Sequence, residues 1–209
     1  MADNTVNYAA KITIDYPDRS LNRTTSFFRI FMVIPIAIIL GLLSSHGIPS
    51  KNWVTDAAGA GVLFIPTLLM ILFRQKYPKW WFDFNLAITR FGARVGMYFL
   101  LMSDVYPSTD EEQSVHLEIN YPDVKKDLNR WLPLVKWFLA IPHYIVLFFI
   151  GIAAFVCIIV AWFAILFTGK YPRGIFDFVM GVFRWGLRVN AYAFILVTDK
   201  YPPFNFNNG

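Results

Sequence analysis

Cysteine is almost missing from this chain: one residue in 209, Cys157, lies inside an apolar run. No disulfide can close within the chain, and no cysteine cluster can hold a metal. Charge is scarce too. Asp, Glu, Lys and Arg make up 16% of the residues, where soluble domains carry about 25%. The three histidines, His46, His116 and His143, share no metal-ligand spacing. There is no glycine-rich phosphate loop, no nucleophile elbow and no zinc-protease motif. The first ten residues are polar and lack the basic-then-apolar pattern of a leader. Insertion is therefore expected to use the first internal hydrophobic segment. The sequence leads us to expect no enzyme, cofactor or metal, and no nucleic-acid partner.

Apolar residues are abundant. The chain is 56% hydrophobic and 18% aromatic, with a mean hydropathy of +0.47. The excess is concentrated in 31–43, 57–73 and 137–167, which contain almost no charge. Runs of this length are the mark of lipid exposure rather than of a soluble core. The expected fold class is a mainly α, polytopic membrane protein.

The two halves match position by position. Leu21-Asn22-Arg23 corresponds to Leu128-Asn129-Arg130, Arg29 to Lys136, and Ile34-Pro35 to Ile141-Pro142. Lys76-Tyr77-Pro78 corresponds to Lys170-Tyr171-Pro172, and Phe82-Asp83-Phe84 to Phe176-Asp177-Phe178. Arg90, Arg94 and Tyr98 fall on Arg184, Arg188 and Tyr192 without a gap. Each half closes with Asp-x-Tyr-Pro, at Asp104 and at Asp199. We therefore expect two tandem repeats, 1–109 and 110–209. The offset shrinks from 107 (Arg23 to Arg130) to 94 (Tyr77 to Tyr171), so the first half carries an insertion around 44–56. Length variation of that kind belongs to a loop.

Six of the ten tyrosines precede proline: Tyr16, Tyr77, Tyr106, Tyr121, Tyr171 and Tyr201. Proline moves the preceding residue out of helical geometry, and tyrosine favours the membrane–water boundary. These pairs read as punctuation at the interface.

Several blocks together resemble the bacterial membrane-protein family known as domain of unknown function 4389. They are Tyr121-Pro122-Asp123, Leu128-Asn129-Arg130, Ile141-Pro142-His143, the run from Phe167 to Phe178, and Arg184-Trp185 through Tyr201-Pro202-Pro203-Phe204. The resemblance is strongest from Leu128 to Phe204 and looser in the first half, where Trp80-Trp81 stands in place of Gly174-Ile175. It implies the fold class and a bacterial origin, and it carries no activity and no functional residues.

Each repeat is expected to hold a transmembrane hairpin, about 27–73 and about 132–167, the second turning tightly at Gly151. This arrangement places all of the 19 Lys/Arg but Lys51, and all of the 14 acidic residues but Asp56, on the side of the termini. The positive-inside rule makes that side the cytoplasm. The expected location is a bacterial inner membrane, multi-pass, with both termini cytoplasmic.

An amphipathic interfacial helix follows each hairpin, about 80–97 and about 174–191. Asp83, Arg90 and Arg94 fall on one helical stripe, and Asp177, Arg184 and Arg188 repeat it. A third span would scatter charge to both sides, so the interfacial placement is preferred. The four arginines are the candidate lipid- or partner-binding girdle, suited to bidentate anion recognition. Asp83 and Asp177 are expected to pair with them structurally. Gly92 and Gly96 are expected to admit close packing within the chain. Short alternating segments around Ile12, Ile14, Val115, Leu117 and Ile119 predict cytoplasmic strands, each pairing with a late segment of its own half. His143 is the only histidine placed for a possible role.

The expected function is a non-catalytic accessory or scaffold subunit. It would pack with a larger membrane complex or with itself, and bind anionic lipid at the inner leaflet. A small oligomeric transporter or channel is the alternative, followed by a lipid-modifying enzyme of the membrane interface.

Overall fold

The computed structural model describes residues 8–17, 20–44, 63–109, 111 and 113–207. The described chain is mainly helical. Its elements, in order, are β1 (Ala10–Ile14), α1 (Arg23–Ser44), α2 (Phe64–Arg74), α3 (Lys79–Phe99), β2 (Val115–Ile119), α4 (Val124–Asp127), α5 (Pro133–Leu139), α6 (Ile141–Thr168) and α7 (Arg173–Ala193).

Local chemistry sets the boundaries. The side chain of Asn22 accepts from the amides of Thr24 (3.0 Å) and Thr25 (3.3 Å) and caps α1. Pro142 sits in the first turn of α6, where no amide is needed, and Gly169 closes that helix at φ 73°. Both α3 and α7 begin directly after a Tyr-Pro pair, at Pro78 and Pro172.

Two helices are long and apolar enough to cross a membrane: Arg23–Leu43 within α1, and α6. The expected second hairpin is corrected here. α6 runs unbroken for 28 residues straight through Gly151. A single glycine costs about 1 kcal/mol in a helix, far less than a turn that strands apolar side chains. In the first half, α1 and α2 cover most of the expected hairpin, and residues 45–62 between them lie outside the described residues. The two amphipathic helices lie within two residues of the expected bounds.

The strands are also corrected. β1 pairs antiparallel with β2, across the halves, with Ile12 opposite Leu117 at the centre. The late segments expected as partners contain Leu101 (φ 65°) and Leu196 (φ 60°), and that left-handed backbone cannot continue a strand. Ile12, Leu117 and Ile119 bury the inner face of the ribbon, while Thr13, His116 and Glu118 face outward.

The layers follow from the contacts. The ribbon lies on α3 and α7, which in turn pack on α1 and α6. α6 runs antiparallel to α7: His143 meets Trp185 at one end, and Tyr171 meets Phe176 beyond the other. The core lies beneath the ribbon, around Tyr8, Met97, Tyr171 and Leu196. Each such buried apolar side chain contributes roughly 1.5–3 kcal/mol.

Candidate functional site

Matched residues make matched contacts. Tyr16 Oη donates to the Tyr171 carbonyl at 2.5 Å, and Tyr121 Oη donates to the Tyr77 carbonyl at 2.5 Å. Each of these bonds joins one half to the other. Arg90 Nε donates to the Leu117 carbonyl at 2.9 Å, and Arg184 Nε to the Ile12 carbonyl at 3.4 Å. Each arginine therefore holds the strand contributed by the opposite half.

The other two arginines of the stripe anchor irregular segments. Arg94 donates to the Ser108 carbonyl at 2.8 Å. Arg188, buried, donates to Asn205 Oδ1 at 2.6 Å and also to the Asn205 carbonyl. Burial lowers the affinity of Arg184 and Arg188 for their protons. Arg90 and Arg184 thus turn toward the ribbon, Arg94 toward the segment after Pro107, and Arg188 toward the C-terminal segment. Asp83 is exposed and meets Lys79 at 3.3 Å, one helical turn away, rather than an arginine. Asp177 is exposed and lies in the field of Arg184.

The Tyr-Pro tyrosines divide into two groups. Tyr77 and Tyr171 are buried, and burial pushes the Tyr77 phenol up to about 12. Tyr106, Tyr121 and Tyr201 are exposed, and Tyr16 is half-buried. Gly92 faces Leu40 of α1, and Gly96 lies against Phe183 of α7, so both glycines serve packing within the chain.

Two buried ion pairs complete the matched set. Arg29 reaches Asp104 and donates to the carbonyls of Tyr98 (3.0 Å) and Ser103 (2.5 Å). Lys136 Nζ lies 2.6 Å from Asp199 and donates to the Thr198 carbonyl at 2.7 Å. The same aspartates accept from the backbone amides of Asn22 (2.9 Å) and Asn129 (2.6 Å). Lys136 is fully buried, and burial lowers its pKa while Asp199 raises it. All four residues stand at matched positions of the sequence. The available signal was that cation and aspartate recur in register in both halves.

His143 is buried, stacked on Phe204 (centroids 4.0 Å apart), and its Nδ1 accepts from Trp185 Nε1 at 3.0 Å. Among the described residues, no three His, Cys, Asp or Glu side chains are grouped to hold a metal.

Two features stand out for having no internal partner among the described residues. The first is the outer face of α1 and α6. Phe27, Phe31, Ile34, Ile38 and Leu42 form an exposed stripe on α1, and Phe149, Ile152, Val156, Phe163 and Phe167 form one on α6. Soluble monomers rarely expose continuous apolar patches above a few hundred Å². The second is a cavity of about 680 Å³ between the halves, walled by α3 and α7. Ile12 and Leu117 line it from the ribbon, and Leu40 and Leu147 from the outer helices.

Residues 131–205 match the family model described as Domain of unknown function (DUF4389), so the resemblance read from the sequence holds for the second half. No curated protein and no solved structure matches the chain.

Proposed function

We propose that this protein is a non-catalytic accessory or scaffold component of a bacterial inner membrane. In this reading it is built of two tandem repeats and embedded through the outer face of α1 and α6. The observation that carries the reading is the pair of exposed apolar stripes on those helices. The arginines of the stripe support it, because they hold strands and irregular segments of the chain instead of converging on a reacting centre. The matched contacts of the halves support the repeat.

The manner of embedding follows from two further observations. α6 is about 42 Å long, from 28 residues at about 1.5 Å each. Arg130 and Lys136 precede it, and Lys170 and Arg173 follow it. If α6 crossed the bilayer, these basic groups would lie on opposite sides, against the positive-inside rule. The ribbon, which lies along α3 and α7, would then sit at mid-membrane with His116 and Glu118 exposed. Unpaired strand edges and exposed charge are not tolerated in hydrocarbon. α6 therefore lies along the cytoplasmic leaflet, with its apolar face down and the ribbon in water. Exposed Arg23, Arg130 and Lys170 at the ends of the outer helices meet anionic headgroups. Tyr8 donates to the Lys200 carbonyl at 3.0 Å, which supports a common side for the N- and C-terminal segments, the cytoplasm in this reading. The multi-pass arrangement is the second reading, favoured by the length and apolar character of α6 alone.

The test is cysteine labelling in intact spheroplasts, on a Cys157→Ser background. Lys126→Cys and Lys170→Cys place exposed thiols near opposite ends of α6. Embedding in one leaflet shields both from an impermeant external maleimide. Labelling of one and not the other would establish a crossing. Protein released from membranes by alkaline carbonate would refute embedding altogether. Native mass spectrometry of gently extracted protein tests the scaffold role. Retained foreign subunits or a defined homo-oligomer support it, and a bare monomer counts against it.

A further inference from the structure

We infer that the cavity between the two halves is a binding site for the acyl chain of a membrane lipid, an inference that rests on the embedded reading above. Packed interiors leave few voids larger than a water molecule. A space of about 680 Å³ falls instead in the range of ligand sites.

The lining selects the class of ligand. No Asp, Glu, Lys or Arg contributes to the wall, so the inserted group is uncharged and a phosphate headgroup is excluded. The wall is largely aliphatic and aromatic. Thr89 donates its hydroxyl proton to the Asn85 carbonyl at 2.7 Å and Asn85 donates to Tyr77 Oη at 3.3 Å, so the amide of Asn190 is the wall donor suited to the ester end of a chain. Asn190 is exposed at the rim, while Asn85 is buried.

The position of the cavity selects the source. Leu40, Phe64 and Leu147 belong to α1, α2 and α6, whose opposite faces form the exposed apolar surface. The cavity is thus bounded by the layer that meets hydrocarbon, and the lipid tails of that leaflet are its nearest occupants.

One wall residue makes the site testable. A Cβ built on Gly186 meets no atom within 4 Å, although Gly186 lies on the wall. A Cβ on Gly181, one and a half turns earlier on the same helix, would come within 2.7 Å of Phe206. A larger side chain at Gly186 therefore enters the cavity instead of colliding with the fold. Gly174 also has open space around it but does not line the cavity, which makes it the control.

The experiment uses the full chain, stripped of lipid in detergent. It is reconstituted into phosphatidylcholine–phosphatidylglycerol vesicles doped with a phospholipid bearing a mid-chain diazirine. After irradiation, adducts are mapped by peptide mass spectrometry on wild type, Gly186→Leu and Gly174→Leu. Acyl occupancy places wild-type adducts on 88–93 and 182–190. Gly186→Leu loses them, and Gly174→Leu keeps them. Adducts on the outer face of α6 persist in all three and report the embedding itself. Adducts confined to that outer face in wild type would overturn the proposal, whatever the variants do. So would undiminished inner adducts in Gly186→Leu. Absence of adducts everywhere, outer face included, would instead refute the embedded reading on which the site depends.

Discussion

The first half builds its outer layer from α1 and α2, whereas the second covers the matching ground with the short α5 and the 28-residue α6. The inner layers do not diverge in this way. α3 and α7 have the same length, carry the same arginines, hold each other's strands and are each followed within three residues by a left-handed leucine, Leu101 and Leu196. A non-glycine residue in that conformation costs roughly 1–2 kcal/mol. Keeping it twice marks the inner layer as the place where geometry is constrained. The outer layer needs only to be apolar and helical, so it tolerates an insertion and an extended helix.

The largest expected effect comes from breaking the two buried ion pairs, and it separates the halves. Asp104→Asn leaves buried Arg29 without its carboxylate, at a cost of roughly 3–5 kcal/mol. Arginine cannot shed its proton, so the loss is the same across neutral and alkaline pH. Asp199→Asn leaves Lys136, whose proton affinity burial already lowers. The folded protein then favours neutral lysine. Its destabilisation is full below the depressed folded pKa and is relieved as pH rises toward the unfolded lysine value of about 10.4. Thermal melting of both variants in detergent between pH 7 and pH 10 checks this. Parallel pH profiles for the two would contradict the contrast.

Tyr77 provides the next effect, with the opposite sign. Its folded pKa of about 12 lies above the unfolded value of about 10. The stability it contributes is complete below pH 10 and is lost as pH rises through 12, a total of roughly 2–3 kcal/mol. Tyr77→Phe should flatten that alkaline loss, as read by circular dichroism.

Smaller still are the reciprocal phenol bonds. Tyr16→Phe and Tyr121→Phe should each cost about 1 kcal/mol, and by similar amounts, because each removes one hydrogen bond between the halves. Markedly unequal losses would show that the match between halves is one of shape and not of energy. The smallest change is a gain. Gly186→Ala adds a helix-favouring side chain in open space and should stabilise by up to about 1 kcal/mol. Gly181→Ala, pressed against Phe206, should destabilise.

Much of the inner architecture was legible in the sequence. The amphipathic stripe of α3 and α7 and the alternation around Ile12 and Leu117 fixed the elements. The Tyr-Pro pairs marked where helices begin. Three things were not legible. Gly151 looked like a turn because glycine breaks helices in water, where exposed backbone finds partners. One glycine costs only about 1 kcal/mol, and the apolar helix continues through it. Strand partners were assigned within halves because alternation locates a strand without naming its neighbour. The arginines looked free to bind anions, since nothing in the sequence shows that carbonyls of Leu117 and Ile12 lie within reach.

The ribbon places Ile12 opposite Leu117, and these are matched positions of the two halves. In an antiparallel pair, that arrangement is the signature of a two-fold axis passing between them. Neither half covers its own inner helix; each lends its strand and receives the other's. In the proposed two-repeat reading, this exchange is the single-chain counterpart of an isologous dimer contact. The same patch serves as both donor and acceptor, so each inner helix is covered once the two halves meet, while each strand of the ribbon keeps one edge without a strand neighbour among the described residues. The exposed apolar face of α1 and α6 lies apart from this contact between the halves.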